Sequence, residues 1–174
     1  LYHAAPHGYV QRTLSEGGMA VVLSKFDPEA ALAAIERYRV THSQWVPTMF
    51  VRLLALPADA RLRFDMSTHR CAMHAAAPFP VPVKRAMIEW WGPIIHEYYA
   101  GSEGIGTTVV DSRTWLERPG TVGRPVNGVT VHILDDAGRE LPAGETGRIF
   151  FAGVTRFGYH NAVEKTAASY DDRG

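Results

Sequence analysis

Ser102 and Glu103 stand side by side in "YYAGSEG" (98–104). A hydroxyl can donate a hydrogen bond to a phosphate oxygen, and a carboxylate can hold a divalent cation. Magnesium carried on nucleotide phosphates takes only one or two protein carboxylates. Tyr99 adds an aromatic face on which a base can stack. A second stretch, "HAAAPFP" (74–80), has small side chains, so its backbone can lie close to a flat ring. Together the two stretches offer an aromatic, a hydroxyl and a metal ligand to a nucleotide. The same residues also suit two tight loops with small side chains for packing. Spacing alone does not choose between these readings.

The elements on either side set where these stretches must sit. Each follows an apolar, β-rich run, "RCAMH" (70–74) and "IIHEY" (94–98), and further strands are expected at "MAVVL" (19–23) and "HSQWV" (42–46). Asp27-Pro28-Glu29 opens a helix: Asp27 can cap it, Pro28 suits its first position, and Glu29 favours its positive end. Leu32, Ile35 and Tyr38 give that helix its expected buried face. "TMFVRLLAL" (48–56) is a second helix, ended by Pro57. "VPVKRAMIEWW" (81–91) is a third, with Val83, Met87 and Trp90 on one face and Gly92-Pro93 as its stop. Alternating strands and helices of this length predict a mostly parallel sheet with right-handed crossovers. Ligands of such sheets sit at the carboxyl ends of strands, where both stretches begin.

The pattern changes near residue 115. "VTVHIL" (129–134), the turn "DDAG" and "GRIFFAG" (147–153) read as short turn-linked strands, and "RTWLERPGTVGRP" (113–125) as the link to them. The expected fold class is therefore α/β, with a mostly parallel sheet and flanking helices over 1–114, then a small β-rich subdomain over 115–174.

Composition bounds the function. The 174 residues are 46% hydrophobic and 21% charged, and 18 basic residues balance 18 acidic ones. With zero formal charge there is no basic field to recruit nucleic acid or anionic lipid. Cys71 is the single cysteine, which excludes an internal disulfide and is compatible with a cytoplasmic location. No run of 18 apolar residues predicts a transmembrane helix. Neither a signal peptide nor an initiator methionine is present, and the chain is expected to be cut at both ends. Cys71 reads as a small core residue. His42, His69 and His74 lack metal-ligand spacing and read as polar or surface groups. Trp90 and Trp91 read as packing residues, Lys84-Arg85 as a solvated helix face, and "GRP" (123–125) as structural.

Several segments, taken in order, resemble the middle of an acyl-CoA synthetase of the adenylate-forming, AMP-binding superfamily, which includes fatty-acid and coumarate CoA ligases. "LYHAAP" (1–6) resembles the family's histidine segment beside the acyl pocket, and "VPTMFVRLL" (46–54) the helix start that follows. "HAAAP" (74–78) resembles its adenine loop. "YYAGSEG" resembles its tyrosine–glycine–x–threonine–glutamate motif. "GTVGRPVNGVTVHILDDAGRELPAGETGRIFFAG" (120–153) resembles the start of its small β-subdomain, and "GYHNAVEKT" (158–166) the segment before its ribose-binding aspartate. The resemblance covers essentially the whole chain.

The resemblance implies a two-step reaction. A carboxylate attacks the α-phosphate of ATP, giving acyl-adenylate and pyrophosphate, and the thiol of CoA then displaces AMP. It implies catalytic roles for Ser102, Glu103 and His3: Ser102 on phosphate, Glu103 on Mg²⁺, and His3 shaping the route by which acid and thiol meet, not moving a proton. It implies a nucleotide site of Ala76, Ala77, Pro78, Tyr99, Ala100 and Ser102, and an acyl pocket bordered by His3, Tyr98, Gly101 and Gly104. Its substrates are ATP, CoA and a small carboxylic acid, fatty or otherwise apolar. Lys165 is not the family's catalytic lysine.

The sequence departs from the family at Ala75 and Ala76, where glycine is common, and at Ala100, where glycine or tryptophan is usual. The family's phosphate loop precedes its histidine segment. Its ribose-binding aspartate and its lysine-bearing domain follow the position of Gly174. The 174 residues alone are therefore not expected to run the full reaction. "KFDPEAALAAIERYRVT" and "PVPVKRAMIEWWG" resemble the bacterial fatty-acid ligase branch and favour CoA as acceptor. The alternatives are an acyl-AMP ligase serving a carrier protein and a non-catalytic nucleotide-binding or scaffold fragment.

Overall fold

The computed structural model describes residues 1–171. The final three residues of the part expected over 115–174 lie outside them. In chain order the elements are α1 (Ala4–Ser15), α2 (Pro28–Arg37), β1 (His42–Trp45), α3 (Pro47–Leu54), α4 (Ala58–Leu62), β2 (Cys71–His74), α5 (Val81–Trp91), β3 (Ile95–Ala100), β4 (Thr107–Val110), α6 (Ser112–Glu117), β5 (Arg124–Pro125), β6 (Thr130–Leu134), β7 (Arg148–Ala152) and α7 (Val163–Ala167). The chain divides into two compact units: residues 1–99 with 109–123, and residues 100–108 with the chain from 124 onward.

One sheet has the order β1-β2-β3-β4-β5. β1 runs parallel to β2, pairing His42 with Cys71 and Trp45 with His74. β2 runs parallel to β3, pairing Ala72 with Ile95 and His74 with Glu97. Helices α2, α3 and α5 connect or flank these strands, so the α/β fold expected from the alternation is present. α2 begins as its sequence dictates: Pro28 is its first residue, and the Asp27 carboxylate accepts a hydrogen bond from Ala30 N at 2.9 Å. α5 ends at Gly92, whose φ of +80° lies in the left-handed region.

The core of the first unit gathers Leu32 and Ile35 of α2, Phe50 and Leu53 of α3, and Met87 and Ile88 of α5. They pack with Trp45, Ala72 and Ile95 of the strands and Trp115 of α6. In the second unit β6 and β7 form an antiparallel pair, Thr130 opposite Ala152 and Leu134 opposite Arg148. "DDAG" is a turn there: the Asp135 carboxylate accepts from the backbone N–H groups of Ala137 and Arg139 at 2.9 and 2.8 Å.

Four expectations need correction. Residues 19–23 form no strand; among the described residues their backbone has no partner strand, and Met19, Val22 and Leu23 are exposed. β-propensity cannot act without a neighbour to pair with. Tyr38 is exposed, because the helix has already ended at Arg37. Lys84 does not face solvent: it is fully buried on the inner side of α5, where Glu97 supplies its counter-charge. His69 and His74 are also buried, not surface groups. The link over 113–125 carries α6 and the fully buried indole of Trp115. Helix α1 was not expected at all; it buries none of its residues, so no strong apolar stripe marked it.

Candidate active site

Residues 101–104 close a tight turn, in which Gly104 N donates to Gly101 O at 3.1 Å. Ser102 and Glu103 occupy its two central positions and are exposed. This explains the hydroxyl and the acid side by side: the middle of a turn projects both side chains outward. Gly101 leaves room for the side chains of Glu103 and Ile105. A Cβ there would lie 2.9 Å from Ile105 Cδ1 and 3.0 Å from Glu103 Oε2, so a side chain would push the carboxylate aside.

Glu103 is held from within its own unit. Tyr159 Oη donates to Glu103 Oε1 at 2.8 Å. That hydrogen bond, followed by the carboxylate's own backbone contact, pulls the pKa of Glu103 below its ordinary value, and Lys165 adds to the effect. The reciprocal effect raises the phenol of Tyr159. At neutral pH the pair is therefore a carboxylate accepting from a neutral phenol. The phenol engages Oε1 alone of the two carboxylate oxygens. Among the described residues no three His, Cys, Asp or Glu side chains group to hold a metal by themselves. A solitary exposed carboxylate instead fits a cation that arrives already bound to nucleotide phosphates.

The first unit carries the other expected residues. The loop after β2 is pinned at both ends. His74 and Phe79 are buried, their rings 4.4 Å apart, and Phe79 stacks on Phe50 at 4.9 Å with 9° between planes. Ala76, Ala77 and Pro78 between them are exposed. Ala76 has φ +78°, a left-handed conformation that explains why glycine is usual at this point of the resembled loop. β2 ends at His74, opposite Glu97, so this loop leaves the sheet beside Tyr98 and Tyr99 on β3. The Tyr98 ring is half-buried, and its hydroxyl accepts from Gln44 Nε2 at 3.3 Å. Burial raises its pKa, and burial with the nearby Tyr98 pushes Tyr9 up to about 12. Tyr99 is exposed. His3 is exposed at the N-cap of α1, where its carbonyl accepts from His7 N at 3.2 Å and its ring lies 4.2 Å from that of Tyr2.

The expected residues thus fall into two sets, each described within its own unit. His3, Ala76, Ala77, Pro78, Tyr98 and Tyr99 belong to the first unit, and Ala100, Gly101, Ser102, Glu103 and Gly104 to the second.

The first unit also holds a buried charged cluster that sequence reasoning missed. Lys84 Nζ pairs with Glu97 Oε2 and lies 4.7 Å from the centroid of the Trp115 ring. Burial pushes the Lys84 pKa down, and the Glu97 carboxylate opposes the shift. His74 Nδ1 lies 3.9 Å from Glu97 Oε1, beyond hydrogen-bond length. Burial first, and Lys84 second, hold its pKa down to about 4, so the imidazole is neutral at physiological pH. His69 is likewise lowered to about 4 by burial, and its Nε2 meets Ser43 Oγ at 2.6 Å. Lys84 did carry a signal, since it stands three and four positions before the buried Met87 and Ile88 of α5, whereas nothing in sequence joins Glu103 to Tyr159.

Comparison with known proteins gives this geometry its context. The family described as AMP-binding enzyme matches residues 1–159. The medium/long-chain-fatty-acid–CoA ligase FadD8 of Mycobacterium tuberculosis is 34% identical over 163 residues, covering 92% of this chain and 28% of that protein. A feruloyl-CoA synthase of Amycolatopsis is 33% identical over 169 residues, covering 96% of this chain and 34% of that protein. This chain thus spans about a third of the length of such relatives. Among solved structures, the amide bond synthetase McbA of Marinactinospora thermotolerans superposes with a TM-score of 0.87 at 30% identity, over 97% of this chain and 35% of that one. The O-succinylbenzoate coenzyme A synthetase of Bacillus subtilis, in complex with AMP, shares the fold, with a TM-score of 0.80 at 22% identity over 99% of this chain and 35% of its own. With the family matched over most of its length and CoA ligases among its relatives, the chain belongs to the AMP-binding enzyme family.

Proposed function

We propose that the chain is the central part of an ATP-dependent carboxylate–CoA ligase that acts on a fatty or other apolar acid in the cytoplasm. The observation that carries the reading is the turn at 101–104, which presents Ser102 and an ionised Glu103 together. Similarity to a medium/long-chain-fatty-acid–CoA ligase supports the acid and the acceptor. The protein partners this reading calls for are the remaining parts of the same enzyme, with small molecules as substrates and no nucleic acid.

In the first step a carboxylate oxygen of the acid bonds to the α-phosphorus of ATP as the bond to the pyrophosphate oxygen breaks. Two anionic groups must meet, so alignment and charge neutralisation dominate the barrier. Ser102 donates its hydroxyl to a phosphate oxygen. The exposed backbone of Ala76 to Pro78 meets one face of the adenine and Tyr99 the other, with Ala100 at the edge. Tyr98, with Gly101 and Gly104, borders the acyl chain, and His3 shapes the path along which acid and thiol approach. Mg²⁺, when bound at Glu103 with the nucleotide, supplies positive charge to the phosphate oxygens. In the second step the CoA sulfur bonds to the acyl carbon and AMP leaves with the electron pair of the broken anhydride bond.

A second reading changes only the acceptor. The 30% identity and TM-score of 0.87 with an amide bond synthetase support an amine in place of the thiol. Thioester and amide products from one acyl-adenylate, measured with CoA and with amines, separate the two.

Glu103→Gln in the intact enzyme tests the main reading. The amide keeps the shape and loses the charge. If one preorganised charged contact is worth about 3 kcal/mol in the transition state, pyrophosphate release falls roughly a hundredfold. Thioester formation from pre-made acyl-adenylate falls far less, because pyrophosphate has already left, and Ser102→Ala lowers pyrophosphate release less than Glu103→Gln does. Pyrophosphate release near the wild-type rate in Glu103→Gln would overturn the metal-ligand assignment.

A further inference from the structure

Tyr159 is the polar neighbour of Glu103 to which the proposed reaction gives no role. Its hydroxyl reaches Glu103 Oε1 at 2.8 Å from 56 positions along the chain. The residues around Tyr159 hold it in place. Tyr159 N donates to Thr166 Oγ1 at 2.9 Å, and Thr166 Oγ1 donates to Ala162 O at 2.9 Å. Phe157 N donates to Tyr170 Oη at 2.7 Å, and Tyr170 Oη donates back to Phe157 O at 2.8 Å. The segment from 157 to 170 thereby closes on itself. Lys165 Nζ lies over the Tyr159 ring, 3.7 Å from its centroid, a favourable cation–π geometry that fixes the ring from the other side.

An exposed glutamate at the centre of a turn has three rotatable bonds and no neighbour obliged to order it. Ordering it when a ligand arrives costs binding free energy, and ordering it beforehand removes that cost. We propose that Tyr159 is a positioning residue that anchors Oε1 of Glu103, so that Oε2 is presented to the cation of a magnesium–nucleotide. Lys165 acts one step further out, by holding the ring that carries the hydroxyl. This inference rests on the reading of Glu103 as the magnesium ligand, and it adds to it a device built from a distant part of the same unit.

The test uses the intact enzyme and a non-hydrolysable ATP analogue, with binding measured by calorimetry across a range of Mg²⁺ concentrations. Tyr159→Phe removes only the hydroxyl. Loss of one hydrogen bond to a charged group raises the half-saturating Mg²⁺ about tenfold. Affinity for the analogue without metal stays within about twofold of wild type, because backbone and stacking contacts are untouched. Lys165→Met shifts the Mg²⁺ midpoint in the same direction by about twofold, in the range of an exposed cation–π contact. At saturating Mg²⁺ the rate of pyrophosphate release by Tyr159→Phe returns toward wild type. An unchanged midpoint in Tyr159→Phe, beside a raised one in Glu103→Gln, refutes the positioning role and leaves the metal assignment standing. An unchanged midpoint in Glu103→Gln refutes both. Equal loss of analogue binding with and without metal in Tyr159→Phe shows a purely structural role and also refutes the proposal.

Discussion

Ala76 holds a backbone conformation that glycine takes without penalty. Its φ of +78° places the Cβ against its own carbonyl, a clash that costs an L-residue about 1–2 kcal/mol. Glycine loses part of that advantage through the greater freedom of its unfolded chain, about 0.4–1 kcal/mol. The balance predicts that Ala76→Gly stabilises the protein by roughly 0.5–1 kcal/mol. Ala76→Val should destabilise it by more, since a β-branched side chain tolerates positive φ least. Thermal midpoints of the two variants check both signs, and a fall for glycine would show that the strain is not there. The strained residue lies in the exposed stretch proposed to meet adenine, between the pinned rings of His74 and Phe79. The buried side chains on either side hold the backbone of the loop in that shape.

At the scale of elements, the Lys84–Glu97 pair ties α5 to the middle of β3. Both side chains are buried, so each charge depends on the other. Removing one partner of a buried pair typically costs about 3–5 kcal/mol, whereas replacing both by apolar groups is often close to neutral. Lys84→Met and Glu97→Met alone should therefore each destabilise strongly. The double variant should recover most of the loss, with a coupling of at least about 2 kcal/mol between the sites. Denaturant or thermal unfolding of the four proteins closes this cycle. Additive losses would mean that the pair does not join the two elements. The contact matters for the site because Glu97 is followed directly by Tyr98 and Tyr99. The end of β3 cannot shift without moving both tyrosines.

At the scale of the whole molecule, the chain spans about a third of the length of its relatives. The resemblance assigns the phosphate loop, the ribose-binding aspartate and the catalytic lysine to regions outside these residues. Expressed alone, residues 1–174 are expected to bind ATP weakly and to release no pyrophosphate with any acid. A pyrophosphate assay on the purified polypeptide, beside the intact enzyme, checks this; robust release by the polypeptide contradicts it. Among the described residues no helix is long and apolar enough to cross a membrane.

Much of the scaffold was legible in the amino-acid order because local signals agreed with the final fold. Asp27-Pro28 started α2, Gly92-Pro93 stopped α5, and apolar runs ending at His74 and within Ile95–Ala100 became neighbouring parallel strands. Side-chain alternation, capping and turn chemistry act over a few residues, so the sequence carries them openly. Family membership was legible for a related reason, since its motifs are short and come in order. Residues 19–23 show the limit: their composition is that of a strand, but pairing is decided by a neighbour and not by propensity. Lys84 and His74 show it again. Nothing in their spacing told that Glu97 and Trp115 would enclose the lysine or that Phe79 would cover the imidazole. The anchoring of Glu103 by Tyr159 joins residues 56 positions apart, and only folding brings such a donor to such an acceptor. The sequence by itself determined α2, α3 and α5, the strands β1 to β3, β6 and β7, and the chemical groups on the loops. Tertiary structure alone decided which charges are buried and which oxygen of Glu103 meets Tyr159, because burial and hydrogen bonding depend on neighbours in space.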